Sequence, residues 1–357
     1  MGHMREIRGK TMKKVLFATS ALVLSAGFAS AEVAVSGDGR MGMIYDGNDV
    51  QFASRARVLF TLTGESDAGL SFGAKFRVDQ ENYKADPYRS AARGSAGQIW
   101  ISGTYGKLSM GDVVSASEAA IGDLYEVGYT DGAVAFDSEE ISYLTADGNN
   151  LGQGPAVLYE YGINGFTFYA SATDGSDRSW GSVTFGDNTE DEDALSNKVA
   201  YSLAAKYEVD NYNVGLGFGK HGDAKEIVLG AEGKFDQFSV KGVYAHYKDR
   251  SAVDAFAAIT GKNPITNAAG ANVTGDYNFK STIGLSGAYQ ADALLVKAFW
   301  RQDKFTTDVV GLSNEKYNSY GIGADYDLGG GATLAGGIID TDYLQDTVAD
   351  LGIKFKF

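Results

Sequence analysis

The chain contains no cysteine, so no disulfide holds its fold together. Proline is almost as scarce, with three in 357 residues. Because proline removes a ladder donor, that scarcity suits long uninterrupted strands. There are three histidines, and the two beyond residue 31, His221 and His246, stand far from any obvious serine or aspartate partner. They read as surface histidines and give little support to a hydrolase, which needs a nucleophile and base within hydrogen-bond reach. Positive charge is in deficit, 31 Lys and Arg against 46 Asp and Glu, for a net charge of -15. Phosphate binding wants the opposite sign, so a nucleic-acid partner is not expected. The apolar run over residues 15–28 is too short, and too diluted by Thr19, Ser20, Ser25 and Gly27, to cross a membrane as a helix.

That run instead reads as the core of a secretory signal. Lys13 and Lys14 precede it and Ala29-Ser30-Ala31 closes it, with cleavage expected before Glu32. Residues 1–11 read as a leader or tag outside the fold, residues 12–31 as the signal peptide, and residues 32–357 as one domain. Removing residues 1–31 from the 357 leaves 326, and the five basic residues and one acid lost with them move the charge from -15 to -19.

The 47 glycines and 21 tyrosines fit a mixture of strands and turns. Apolar and polar residues alternate with a period of two, which sends successive side chains to opposite faces of a sheet. Leu70, Phe72, Ala74, Phe76 and Val78 share one face, and Ser71, Gly73, Lys75, Arg77 and Asp79 share the other. Similar segments recur to the C-terminus, about sixteen in all. Short connections (67–69, 105–107, 164–165, 210–211, 236–237, 290–293, 329–331) alternate with longer ones (81–97, 112–155, 174–197, 249–276, 306–315). A soluble sandwich has no reason to segregate its connections in this way. The layout predicts a sixteen-stranded antiparallel transmembrane β-barrel with short periplasmic turns and long external loops. Its last strand would place Leu351, Ile353, Phe355 and Phe357 towards lipid, with Lys354 and Lys356 towards the lumen.

Residues 112–155 stand out: forty-odd residues without a convincing helix or strand, an irregular connection that a compact domain rarely tolerates unless it is functional, with a solvated acidic surface loop as the alternative. They carry nine acids and no Lys, Arg or His. Carried through the strands, parity places Arg40, Arg55, Arg57, Lys75, Arg77, Lys297, Arg301, Lys354 and Lys356 on the lumen side, as a positive arc on one wall. If the acidic stretch folds inward, carboxylates face that arc across a narrow opening. A field between low-dielectric walls then sets what passes.

Several stretches carry a resemblance. They are Gly37-Asp38-Gly39-Arg40-Met41-Gly42, Ser54-Arg55-Ala56-Arg57-Val58-Leu59-Phe60-Thr61, residues 122–131 (GDLYEVGYTD), residues 325–332 and residues 349–357. Together they resemble the general porins of Rhodobacter-type alphaproteobacteria. The resemblance implies a homotrimer in the outer membrane, in contact with lipid and lipopolysaccharide. It implies a third external loop (residues 113–155) folded inward as a constriction, and a water-filled channel for passive diffusion of small hydrophilic solutes and ions. Position by position it sets Glu118, Asp123, Glu126 and Asp131 on the loop side, and Arg40, Arg55 and Arg57 on the wall side.

A substrate-specific channel is the nearest alternative, followed by an outer-membrane enzyme or an adhesive barrel. No cofactor is expected. The acidic run from Asp187 to Asp193 could gather a structural Ca²⁺, although no EF-hand loop is present.

Overall fold

The structure is a computed structural model that describes residues 32–82, 97–135, 137–144, 156–173, 199–250, 277–307 and 315–357. The expected leader and signal peptide lie outside the described residues. So do the acidic run 187–193 and most of the connections read at 81–97, 174–197, 249–276 and 306–315.

Sixteen strands close into one antiparallel barrel. In chain order they are β1 (Glu32–Tyr45), β2 (Val50–Glu65), β3 (Ser71–Asn82), β4 (Gly97–Gly103), β5 (Gly106–Gly111), β6 (Ala156–Ile163), β7 (Phe166–Thr173), β8 (Ala200–Val209), β9 (Tyr212–His221), β10 (Ala224–Phe235), β11 (Phe238–Lys248), β12 (Tyr277–Ala291), β13 (Leu294–Thr307), β14 (Glu315–Gly329), β15 (Ala332–Thr341) and β16 (Val348–Lys356). Each strand pairs with its sequence neighbours. The first and last strands seal the cylinder from Asp38 opposite Lys356 to Tyr45 opposite Ala349. Closure leaves no sheet edge, which is the condition for strands to sit in hydrocarbon.

The turns at one end are as short as their residues dictate. Asn164 (φ 50°) and Gly165 (φ 80°) both take positive φ, as a two-residue turn matched to strand twist requires. Aromatic pairs gather beside these turns: Phe166 with Tyr207 at 4.5 Å between ring centroids, Phe238 with Tyr289 at 4.6 Å, and Tyr212 with Phe235 at 5.5 Å. They form the rings expected where a barrel meets the bilayer surface. The other end is less uniform than its expected long loops. β9 and β10 are joined there by only Gly222 and Asp223.

The outer surface is apolar. Met41, Leu203, Leu216, Leu285, Ile322, Ile338 and Leu351 are all more than half exposed. An apolar surface of this extent suits lipid, where water would drive it to associate. No helix among the described residues is long and apolar enough to cross a membrane; crossing is by strands.

The interior departs from a uniformly wet lumen. The inward faces of β10 to β16 carry Val228, Val243, Ala245, Tyr247, Phe279, Phe299, Phe305, Ile339 and Val348, which pack against Ala120, Ile121, Leu124, Val127, Ala135, Ile141 and Tyr143 of the loop after β5. The hydrophobic core therefore lies inside the barrel, between wall and loop. His221 is also corrected from a surface histidine to a buried one, 2% exposed. It shares the inward parity of Gly215, Gly217 and Gly219, and its neighbours in register are Ala200 and Ala224.

Candidate functional site

The loop after β5 folds into the barrel and crosses it from β7 to β16. It is not wholly irregular. Residues Ala116–Ile121 form a short helix, α1, whose first turn is capped by the Ser115 hydroxyl accepting from the Glu118 N–H at 3.1 Å. One and a half turns do not hold alone in water. This helix is held because its first backbone N–H groups find serines on the wall: Ala116 N–H donates to Ser171 Oγ at 2.9 Å, and Ser117 N–H to Ser202 Oγ at 3.0 Å.

The pattern continues along the wall. Tyr125 N–H donates to Ser286 Oγ at 3.1 Å, and the N–H groups of Tyr129 and Thr130 donate to Asp350 at 3.1 and 2.9 Å. Leu144 N–H donates to the Glu226 carboxylate at 2.6 Å. Buried backbone donors thus meet wall acceptors one after another, as burial demands. The loop's apolar side chains drop onto wall glycines. A Cβ added to Gly230 would stand 2.4 Å from Ile121, one on Gly284 2.7 Å from Leu124, and one on Gly337 2.5 Å from Val127.

With the loop in this position, the lumen beside β16, β1, β2 and β3 narrows to two neighbouring spaces. One, of about 350 Å³, is lined by Arg40, Arg55, Lys354 and Lys356 on the wall and by Glu126 and Asp131 on the loop. Asp131 lies 3.1 Å from Lys354 Nζ and 3.6 Å from Arg40 Nη1, while Glu126 is exposed to the space. The second, of about 340 Å³, is lined by Arg57, Lys75, Arg77 and Gln98 with Asp112 at the loop's start. Burial raises the Asp112 carboxyl above its ordinary pKa, with Arg77 and Lys75 pulling it back. Glu126 is raised too, by partial desolvation from the loop around its stem and then by Asp131, against Lys297 and Lys354, although its side chain still opens to the space.

The structure divides the loop acids. Glu126 and Asp131 meet the basic arc, and Asp112 joins them. Asp123 instead accepts from Ile141 N–H at 2.7 Å, and burial raises its carboxyl against the pull of that bond and of Lys241 and Arg301. Glu118 lines neither space, and the neighbouring Tyr143 hydroxyl donates to the Gly122 carbonyl at 2.9 Å.

Among the bases, Arg301 is 2% exposed and outside the opening. It is locked to Asp303 at 2.6 Å and donates to the Glu140 carbonyl. The arc is also not purely basic. Arg55 pairs with Asp38 at 3.0 Å, Arg57 and Arg77 both pair with Asp79 at 3.1 and 2.9 Å, and Lys297 pairs with Asp325 at 3.1 Å. Inward parity already placed Asp38 and Asp79 on this wall. Their pairing and the four donors gathered on Asp350 needed the strand register.

Glu139 is a separate case. It is wholly buried, both carboxylate oxygens lack a hydrogen-bond partner, and a Cβ on Gly132 would touch them at 2.0 Å. Burial, with Asp137, Glu126 and Glu140 nearby, pushes its carboxyl well above the ordinary range, so it is held protonated. A carboxyl raised in the folded state binds its proton where the unfolded chain has released it. Loop docking is therefore strongest below the ordinary carboxylate pKa, and weakens by about 1.4 kcal/mol per pH unit as pH climbs towards the raised value. Glu139→Gln is expected to remove that slope, read as amide exchange of the 132–141 segment against pH. An unchanged slope would show that another group is responsible.

A profile for Gram-negative porins matches residues 18–345. The chain is 39% identical to a porin of Rhodobacter capsulatus over 337 residues, covering 91% of this chain and all of that protein. It is 27% identical to a porin of Fuscovulum blasticum over 339 residues, again 91% of this chain and all of the relative. A porin structure refined at 1.8 Å superposes with a TM-score of 0.69 at 37% identity, covering 91% of this chain and all of that one. A closed sixteen-stranded barrel, apolar outside and narrowed by an inward loop, agrees with these likenesses, and the chain belongs to the Gram-negative porins, channel-forming barrels of the outer membrane.

Proposed function

We propose that the space between Glu126 and Asp131 on the loop and Arg40, Arg55, Arg57, Lys75, Arg77, Lys354 and Lys356 on the wall is the constriction through which small hydrophilic solutes and ions diffuse passively. The observation that carries this reading is Asp131, which lines the space in direct contact with Lys354 and Arg40 while Glu126 stays exposed beside them. Opposed charges between low-dielectric walls orient water and zwitterions and penalise bulky apolar solutes. Because Asp38, Asp79 and Asp325 offset much of the wall's positive charge, ion preference is weak. Two relatives it resembles are porins, and in this reading solutes cross by diffusion without catalysis.

The assembly we infer is a homotrimer. β5 has six residues, about 20 Å of strand, and with a tilt of about 40° it rises only about 15 Å. That falls short of the roughly 25 Å apolar band of an outer-membrane barrel, so this side of the cylinder is best covered by other copies. The relatives that lend this reading its weight are porins.

Reconstitution into planar bilayers tests both parts. Conductance is expected to enter and close in groups of three equal steps with weak ion preference. Arg55→Ala combined with Arg57→Ala is expected to shift the reversal potential towards cations by several millivolts in a tenfold salt gradient, on the order of 0.1 kcal/mol per unit charge. An unchanged reversal potential in a folded channel would remove those arginines from the constriction.

A further inference from the structure

We infer that Asp350, on the inner face of β16, is a positioning residue for selectivity: it holds the loop turn that presents Asp131 to Arg40 and Lys354. The inference rests on the charged constriction described above and goes beyond it, because Asp350 itself is 7% exposed and does not line either space of the opening.

Its carboxylate accepts four donors. Oδ1 takes the N–H of Tyr129 at 3.1 Å and that of Gly337 on β15 at 3.0 Å. Oδ2 takes the N–H of Thr130 at 2.9 Å and the Thr130 hydroxyl. Two successive backbone N–H groups converging on one carboxylate form an anion cradle, and charge-assisted bonds of this kind are about twice as strong as neutral ones. No neutral side chain of this length could accept all four. The turn is shaped to come down on it. Gly128 has φ +89°, and a Cβ there would stand 2.4 Å from Asp350 Oδ1.

The next residues carry the consequence. Thr130, held by its N–H and hydroxyl, offers its carbonyl to Arg40 Nη1 at 2.8 Å. Asp131 then takes φ +56°, which aims its carboxylate at Lys354 and Arg40. Lys354 lies four residues beyond Asp350 on the same strand face. A single rigid strand thus supplies both the anchor under the turn and one of the cations its acid meets. Release of the anchor removes the restraint on a backbone whose φ is otherwise unfavourable for aspartate.

The test is a cycle on reversal potential in planar bilayers using the full-length trimer: wild type, Asp131→Asn, Asp350→Ala, and the double variant. Folding is checked for each by heat-dependent migration and circular dichroism. Asp131→Asn is expected to shift the wild-type reversal potential towards anions, and most of that shift is expected to vanish in the Asp350→Ala background, where Asp131 no longer holds its place. A purely structural anchor would lower the melting temperature and leave the Asp131 shift intact. An equal shift in both backgrounds therefore overturns the inference while the charged constriction stands. No shift from Asp131→Asn even in the wild type overturns the constriction reading and the inference with it. If Asp350→Ala does not fold, Asp350→Asn and Thr130→Val replace it. Each keeps the local volume while removing acceptor or hydroxyl, and the same loss of coupling is expected, smaller for Thr130→Val.

Discussion

Gly337→Val is expected to lift the constricting loop off the barrel wall and to raise single-channel conductance, with larger neutral sugars admitted. The backbone at Gly337 does not sit at positive φ, so strand conformation is no obstacle to a side chain. The loop is the obstacle. A Cβ at this position would stand 2.5 Å from Val127 Cγ1, 2.9 Å from Gly128 N and 3.0 Å from Gly128 Cα. A side-chain tip can rotate aside, but the Gly128 backbone cannot. It lies one residue before the Tyr129 and Thr130 N–H groups that Asp350 holds. Overpacking costs roughly 1–3 kcal/mol, and each hydrogen bond surrendered costs about 1 kcal/mol more. That cost falls on loop docking, because the β14–β15–β16 ladder is made by backbone groups the substitution leaves in place. The barrel's circular dichroism should therefore change little and its melting temperature fall moderately, as part of the core between wall and loop is exposed, while conductance and sugar exclusion change greatly. Gly242→Ala is the control, since its Cβ meets nothing closer than 3.8 Å, and wild-type conductance is expected. Wild-type conductance and sugar exclusion in Gly337→Val would mean that the loop does not set the opening.

Arg301→Ala is expected to give the largest loss of stability, with little change in selectivity. Arg301 and Asp303 are 2% and 1% exposed and meet at 2.6 Å. The same carboxylate also accepts from Thr282 Oγ1 at 2.6 Å and from the Tyr343 hydroxyl at 2.7 Å. Removing the guanidinium leaves a buried carboxylate without its cation and strips the Glu140 carbonyl of a donor. Breaking one side of such a pair costs roughly 3–5 kcal/mol. Replacing both members by apolar residues, Arg301→Met with Asp303→Leu, is expected to recover much of the loss in melting temperature, because neither charge is then stranded. The contrast with Arg55 and Arg57 separates a base that lines the opening from one that holds the wall. A large shift in reversal potential from Arg301→Ala with unchanged melting would reverse those assignments.

The barrel was legible in the chain because its signals are local. A period of two along each strand and the alternation of short and long connections do not depend on what the strand lies beside. The final run from Leu351 to Phe357 shows this: Leu351 and Phe357 are exposed on the outer surface while Lys354 and Lys356 line the lumen space, as parity requires. The inward loop was legible as an anomaly of length and charge, but its inner contacts were not. Glu126 and Asp131 stand in the same acidic run as Glu118 and Asp123. Only the path of the loop along the wall sets the first two beside Arg40 and Lys354, and keeps the others off that space, with Asp123 accepting from Ile141 N–H. The short helix α1 was missed for the same reason, since its N–H groups are satisfied by Ser171 and Ser202, 55 and 85 residues away in the chain.

The sequence by itself determined the barrel's two faces, its strand count and the presence of an acidic segment opposite inward bases, because side-chain alternation and turn chemistry act over a few residues. Only the tertiary structure decided which charges meet. Ion pairs and hydrogen bonds act over about 3 Å, and a distance that short between Asp131 and Lys354, 223 positions apart, is set by the closed register of the sheet and the seat of the loop upon it.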